Sequence, residues 1–334
     1  MTKTGLLLMN IGTPSGCDVE SVKKYLAEFL TDPDVIKVPW IVRETLIRRI
    51  LVPLRAQKSA QKYQTIWNSG SPLMLYSEKF CQKLQNKLGS SYSVKIGMRY
   101  GEPSIQSSIQ QMIKEGVQKI VLVPLYPQYA QATTGSSVSR AQEVVQKLNF
   151  PGEVKITADF YQDPGFQNSW IQNIKTYKKD SEHILFSFHG LPVNHIQQNS
   201  KCLQSADCCR LATIENRRCY RAQCFKTAEE LATGLGLTRD QWSISFQSRL
   251  GPVKWLEPYT EQTFINLASK GIKKLAICAP SFVVDGLETL EELSIEGKKT
   301  FETHGGEQFI SIPCLNDDDN WVQGFIKWID NYLK

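Results

Sequence analysis

His183-Ile184-Leu185-Phe186-Ser187-Phe188-His189-Gly190-Leu191-Pro192 is the stretch that decides how this chain is read. An apolar run carrying two aromatics ends in a histidine, and a glycine and a proline stop it. A run of that length between breakers suits a buried strand of a parallel sheet. Open α/β sheets bind their ligands just beyond the carboxyl ends of the strands, and His189 falls there. An imidazole in that position can act as a general base near neutral pH or ligate a metal. For a lone histidine the plainer reading, a turn residue bonded to backbone, is the commoner one. The rest of the chain tips the balance.

Outward from this strand, apolar runs alternate with amphipathic segments. On the N-terminal side, residues 5–11 read as a buried strand closed by Gly12-Thr13-Pro14, and a helix over 18–30 follows, with Asp18 as N-cap and Ser21 in its first turn. Helices over 77–88 and 104–115 alternate with strands over 94–100 and 119–125. The last of these strands runs into Tyr126-Pro127-Gln128-Tyr129 and then Thr133-Thr134-Gly135-Ser136-Ser137, a helix start suited to an anion or to ordinary capping. A linker is expected near 151–164, after which a helix over 165–178 leads into the strand ending at His189. Beyond it, helices over 226–235 and 259–270 alternate with strands over 242–246 and 274–279. An acidic helix opens at Asp285, and a final helix over 321–333 is expected to cross back onto the first half.

Alternation of this kind predicts an α/β protein of two Rossmann-like, doubly wound parallel-sheet domains with a cleft between them. We place the N-terminal domain at 1–160, joined by the C-terminal helix 315–334. The C-terminal domain is 161–314, with a cysteine-rich insert over 200–224. A length of 334 residues suits two domains, and 41% hydrophobic with 22% charged residues suits a globular protein. The net charge of +6 favours an acidic small molecule or an anionic membrane surface without requiring nucleic acid, and no basic block alternates with aromatics as a single-strand binder needs. No stretch reaches the roughly 18 apolar residues of a membrane span, and the first ten residues are too short for a signal peptide. The expected location is therefore cytoplasmic, with peripheral attachment at the inner membrane face left open.

Residues 35–57 interleave Val35, Ile36, Val38, Trp40, Ile41, Val42, Leu46, Ile47, Ile50, Leu51, Val52 and Leu54 with Arg43, Arg48, Arg49 and Arg55. Such a stripe most often packs on its own domain. The functional alternative is an apolar lip over a flat hydrophobic ligand, or a surface touching a bilayer. Pro53 is expected to prevent one continuous helix.

Asp285, Glu288, Glu291 and Glu292 form a carboxylate series, and on an α-helix the three glutamates share a face. A solvated face is the commoner fate of such a run, and a track for a transiently held divalent ion, with His189, is the sharper alternative. No glycine-rich dinucleotide fingerprint or phosphate loop follows any strand.

These residues together carry a resemblance to the ferrochelatases, which insert ferrous iron into a porphyrin to make haem. The likeness covers nearly the whole chain. It rests on Leu8-Met-Asn-Ile-Gly-Thr-Pro14, Phe29-Leu-Thr-Asp-Pro33, Gly70-Ser-Pro72, Arg99-Tyr100, Tyr126-Pro-Gln-Tyr129 with Thr133-Thr-Gly-Ser-Ser137, and Ser187-Phe-His-Gly-Leu-Pro192. It continues through Gln247-Ser-Arg-Leu-Gly-Pro252, Trp255-Leu256 and Asp285-Gly-Leu-Glu-Thr-Leu290. The resemblance implies that His189 and Glu288 are catalytic and hold the substrate iron. It implies porphyrin contacts at Ile11, Arg55, Tyr63, Ser71, Tyr126, Trp255 and Phe282. Some relatives carry a second histidine two residues before the glutamate, where this chain has Gly286. The implied product is haem b from protoporphyrin IX, since Arg55 and the 133–137 segment offer few anion contacts. A coproporphyrin III ferrochelatase and a non-catalytic tetrapyrrole- or iron-binding protein are the alternatives. Nothing in the sequence speaks to oligomeric state.

Five of the nine cysteines crowd into residues 202–224: Cys202, then Cys208 and Cys209, then Cys219 and Cys224. The spacing lacks the pairs separated by two residues that zinc ribbons favour, and it is compatible with an iron–sulfur cluster. Several bacterial ferrochelatases resemble this chain in placing a [2Fe-2S] cluster on such an insert. The resemblance therefore implies that cluster on four of Cys202, Cys208, Cys209, Cys219 and Cys224.

Overall fold

The computed structural model describes residues 3–36, 39–197, 208–209, 216–249 and 253–333. Two four-stranded parallel sheets carry the chain. The first contains β1 (Thr4–Gly12), β2 (Tyr92–Tyr100), β3 (Lys119–Pro124) and β4 (Glu153–Ile156), in the order β2-β1-β3-β4. The second contains β5 (His183–His189), β6 (Trp242–Gln247), β7 (Lys274–Cys278) and β8 (Gln308–Ser311), in the order β6-β5-β7-β8. Both orders follow one rule: the second strand is laid on one side of the first, and the chain then crosses to the other side. The two halves thus repeat one doubly wound α/β topology.

The central strands are buried on both faces, which is why they read as apolar runs: Leu6, Leu7, Leu8 and Met9 in β1, and Ile184, Leu185, Phe186 and Phe188 in β5. In the first half, Ile105, Ile109 and Met112 of α5 (Ile105–Lys114) and Ala141 and Val144 of α6 (Ser136–Lys147) close over Leu7, Met9, Ile120 and Leu122. In the second, Phe264 and Leu267 of α10 (Thr260–Ser269) and Phe301 pack on Leu185, Leu275 and Ile277. The chain divides into two compact units, one of 1–125, 130–158 and 329–334, the other of 126–129 and 159–328. The last helix, Asp319–Leu333, is thereby shared out, with Trp321, Phe325 and Trp328 stacking around Phe160 in the second unit.

Most expected elements form. Asp18 caps α1 (Val19–Leu30), its carboxylate accepting from Ser21 N at 2.9 Å. The 151–164 linker is different: Glu153–Ile156 is an edge strand of the first sheet, too short and too exposed to show as an apolar run. β8 escapes sequence reading for the same reason. Pro53 does not interrupt the helix either. α2 (Trp40–Leu46) passes through a π-helical turn, Ile47–Leu51, into α3 (Val52–Ile66), with Pro53 at the second position of α3. The proline follows directly on the π turn that Val52 N closes on Ile47 O, and a local π-bulge is one way a helix accommodates a residue without an N–H. Among the described residues no helix is long and apolar enough to cross a membrane.

Candidate active site at the carboxyl end of β5

The order β6-β5-β7-β8 makes the crevice beyond β5 and β7 the point where the winding reverses, the usual ligand site of such sheets. β5 ends there in His189, in register with Gln247 of β6. The turn after β7 supplies Ser281, whose Oγ accepts from His189 N at 3.1 Å, and Phe282, whose ring meets the imidazole edge-on at 6.1 Å.

The backbone leaving His189 is fixed closely. Gly190 N donates to Gln247 O at 2.7 Å, and Leu256 N donates to Leu191 O at 2.9 Å. An antiparallel bridge between Pro192 and Trp255 brings the indole against Gly190. A Cβ at position 190 would stand 2.7 Å from Gln247 O and 3.3 Å from Trp255 Cε3, so the site requires a glycine. Gly190 O in turn accepts from His189 Nδ1 at 2.7 Å. A carbonyl only accepts, so Nδ1 carries the proton and Nε2 of the neutral ring keeps its lone pair. Burial draws the imidazole pKa below the ordinary 6.5, opposed by the Glu292 charge and the Gly190 carbonyl.

Glu288 and its neighbours lie on a π-helical segment, Glu288–Gly297, and this corrects the face they were expected to share. The i→i+5 winding turns Glu291 into the interior, while Glu288 and Glu292 stay half-buried. Ser248, held at φ 60, donates to Glu292 Oε2. Such a backbone conformation is uncommon for a residue with a side chain and clusters at functional sites. Gln247 Nε2 donates to Glu288 O at 3.1 Å, and Gln247 Oε1 accepts from Ser187 at 2.7 Å, so one side chain ties β5 and β6 to the acidic segment. Asp285 works differently. Its buried carboxylate accepts from Thr289 Oγ1 at 2.8 Å, Asn316 Nδ2 at 2.7 Å and Cys314 N at 3.2 Å, anchoring the entry to the π-helical segment.

The remaining expected contacts divide by unit. In the second unit Tyr126 is half-buried and Trp255 buried. In the first, Ser71 Oγ bonds Thr13 Oγ1 at 2.7 Å, Tyr63 meets Trp67 edge-on at 6.1 Å, Ile11 is half-buried and Arg55 is exposed. The 133–137 helix start is engaged internally in part, with Thr134 Oγ1 buried and left without a hydrogen-bond partner among the described residues. Ser136 Oγ donates to the buried Asp32 at 2.9 Å and accepts from Arg99 Nε at 2.7 Å, while the N–H groups of Thr133 and Gly135 both donate to Ala130 O at 3.2 Å.

Of the insert cysteines, Cys202 lies outside the described residues. Cys208 and Cys209 hold their sulfurs 3.8 Å apart, and Arg221 Nη1 donates to Cys209 Sγ at 2.9 Å. Cys219 and Cys224 are buried, and burial pushes the Cys224 thiol well above its ordinary range. Among the described residues no three histidine, cysteine, aspartate or glutamate side chains gather as a metal cage.

Fold and site together define a chelatase-like α/β protein. The structure superposes on SirB from Bacillus subtilis with Fe3+ at a TM-score of 0.56, covering 99% of this chain and 95% of that one at 11% identity. DR2241 from Deinococcus radiodurans, a multi-domain protein with structural similarity to chelatases, matches at a TM-score of 0.51 over 98% of this chain and 55% of that one, at 8% identity. At such identities the likeness is one of fold. The ferrochelatase family model matches residues 3–333. The chain is 43% identical to the ferrochelatase of Bdellovibrio bacteriovorus, over 97% of this chain and 98% of that one. It is 42% identical to that of Legionella pneumophila, over 96% and 97%. This chain belongs to the ferrochelatase family.

Proposed function

We propose that this chain inserts ferrous iron into protoporphyrin IX, yielding haem b, with His189 as acceptor of the displaced pyrrole protons. Family membership carries the coarser part: the chain is an enzyme of haem synthesis, and a porphyrin and ferrous iron are its substrates. A flat porphyrin hides two N–H protons in its ring plane. Held bent against apolar and aromatic walls, it exposes nitrogen lone pairs, a distortion driven by binding energy from the rest of the macrocycle. Iron then forms bonds to four nitrogens as two N–H bonds break, and two protons leave. The observation that carries the reading is the Nδ1–H bond from His189 to Gly190 O, because in the neutral ring that burial favours it leaves the lone pair on Nε2. General-base catalysis of this kind contributes on the order of 10²–10⁴-fold. In this reading Glu288 shares the incoming iron with His189, and Glu292, whose charge acts on the imidazole, passes protons outward. Ile11, Arg55, Tyr63, Ser71, Tyr126, Trp255 and Phe282 contact the macrocycle.

Engagement of Ser136 by Asp32 and Arg99, and of the Thr133 and Gly135 N–H groups by Ala130 O, leaves few anion donors at the 133–137 helix start and supports a porphyrin with two carboxylates over one with four. Anaerobic insertion of ferrous iron into protoporphyrin and coproporphyrin in parallel, followed by absorbance, tests this. Faster turnover of protoporphyrin is expected. Preference for coproporphyrin would overturn the choice of substrate, and tight binding without turnover of either would overturn the enzyme reading.

We also propose that four of the five insert thiols hold a [2Fe-2S] cluster. The Arg221-supported Cys209 suits a ligand, and the other three come from Cys202, Cys208, Cys219 and Cys224. The cluster takes no part in the insertion steps above. Cys209→Ser should abolish the visible cluster spectrum; an unchanged spectrum in that variant would refute the assignment of Cys209. Finally, we propose a cytoplasmic enzyme of two lobes dividing near residue 160, peripherally attached to an anionic membrane through its 40–54 stripe. Trp40, Ile41 and Leu54 are 67%, 70% and 75% exposed there, between arginines.

A further inference from the structure

Tyr220 has no role in the reading above, and no motif points to it. It is the first residue of α9 (Tyr220–Leu235), directly after Cys219, and its ring is buried. Its hydroxyl donates to the backbone carbonyl of His189 at 2.8 Å. The neighbouring amide of His189 is held by Ser281 Oγ at 3.1 Å.

The two contacts make up for a missing strand. The ladder between β5 and β7 ends at the pair Phe186–Cys278, while the ladder between β5 and β6 continues to His189–Gln247. In a strand, the N–H and C=O of one residue point to the same side. His189 therefore reaches the carboxyl edge with both groups beyond the end of the β7 ladder, and side chains from α9 and the β7 turn satisfy them. The Cys224 thiol, one helical turn on, and the Ser281 hydroxyl lie beside the phenol oxygen.

We propose that Tyr220 is a positioning residue for His189: with Ser281 it fixes the His189 peptide, so that Nδ1–H meets Gly190 O and Nε2 stays the accepting nitrogen. The inference rests on the reading of His189 as proton acceptor. An imidazole swung out of place is poorly aligned, and a misplacement of about 1 Å can lower a rate on the order of 10²-fold.

The test compares Tyr220→Phe, His189→Ala and the exposed control Tyr177→Phe in the full chain. Anaerobic iron insertion gives kcat and porphyrin KM. Nitrogen-15 spectra of the four histidines report the tautomer, with His189 assigned by its loss in His189→Ala. Tyr220→Phe should lower kcat on the order of 10-fold, leave KM within about twofold and convert the single His189 tautomer into a mixture. An unchanged tautomer, or an unchanged kcat beside an inactive His189→Ala, would overturn the role of Tyr220 and leave that of His189 standing. Full turnover by His189→Ala would overturn both. If Tyr220→Phe fails to fold, Ser281→Ala releases the other backbone group of His189 and must show the same kcat loss and tautomer mixture; retention of either wild-type property overturns the proposal.

Discussion

One hydrogen bond decides what His189 can do. With Nδ1–H donated to Gly190 O, a neutral ring offers Nε2 to a proton or to iron, whereas a protonated ring offers neither. Burial is the largest influence on its pKa and favours the neutral form, so the folded value lies below 6.5. The sign follows directly. Turnover should be full near neutral pH and fall as pH drops through the depressed folded value, placing the acid limb of the kcat profile below 6.5. A limb above 6.5 would mean that the carboxylate outweighs burial. Stability should show the matching trend. The unfolded histidine takes up its proton first as pH falls from 6.5, so the neutral ring's contribution is present above 6.5 and is lost toward the folded value. His189 was legible in the sequence because a strand ending in His-Gly-x-Pro announces both its place and its breakers. Tyr220 and Ser281 were not, since their part is to complete a ladder whose early end shows only in three dimensions.

At the scale of elements, the site is a strand end, a turn and a π-helical segment held by few groups. Gly190 is the narrowest point, and Gly190→Ala forces a methyl toward Gln247 O at 2.7 Å. Overpacking of this kind costs about 1–3 kcal/mol. The variant should therefore melt lower and also lose turnover, because Gly190 O is the acceptor of His189 Nδ1; a wild-type melting curve with wild-type kcat would contradict the tight turn described here. The acidic segment shows what periodicity misses. An α-helical wheel puts its three glutamates on one face, whereas the i→i+5 winding buries Glu291 away from Glu288 and Glu292. No local composition signals that winding. Asp285 reads as one more carboxylate in sequence, yet its three buried donors make it an anchor. Long apolar strands were readable throughout, while the four-residue edge strands β4 and β8 were too short to carry a pattern.

For the whole molecule, two repeats of one winding carry the chain, and an exposed apolar stripe stands out on the first. Trp40, Ile41, Val42, Ile50 and Leu54 are exposed, with Arg48 and Arg49 among them. A stripe of that composition suits an anionic bilayer surface. The protein should sediment with anionic vesicles at low salt, and replacing Trp40, Ile41 and Leu54 with serine should release it without loss of fold; equal binding by that variant would place the membrane contact elsewhere.

The central claim is that His189 takes the pyrrole protons. The direct measurement is single-turnover insertion of ferrous iron by His189→Ala under anaerobic conditions, with porphyrin affinity determined separately by fluorescence. The account predicts porphyrin binding close to wild type and a chelation rate lower by on the order of 10²–10⁴-fold. Wild-type chelation by the variant would contradict it and move the proton acceptor to another group.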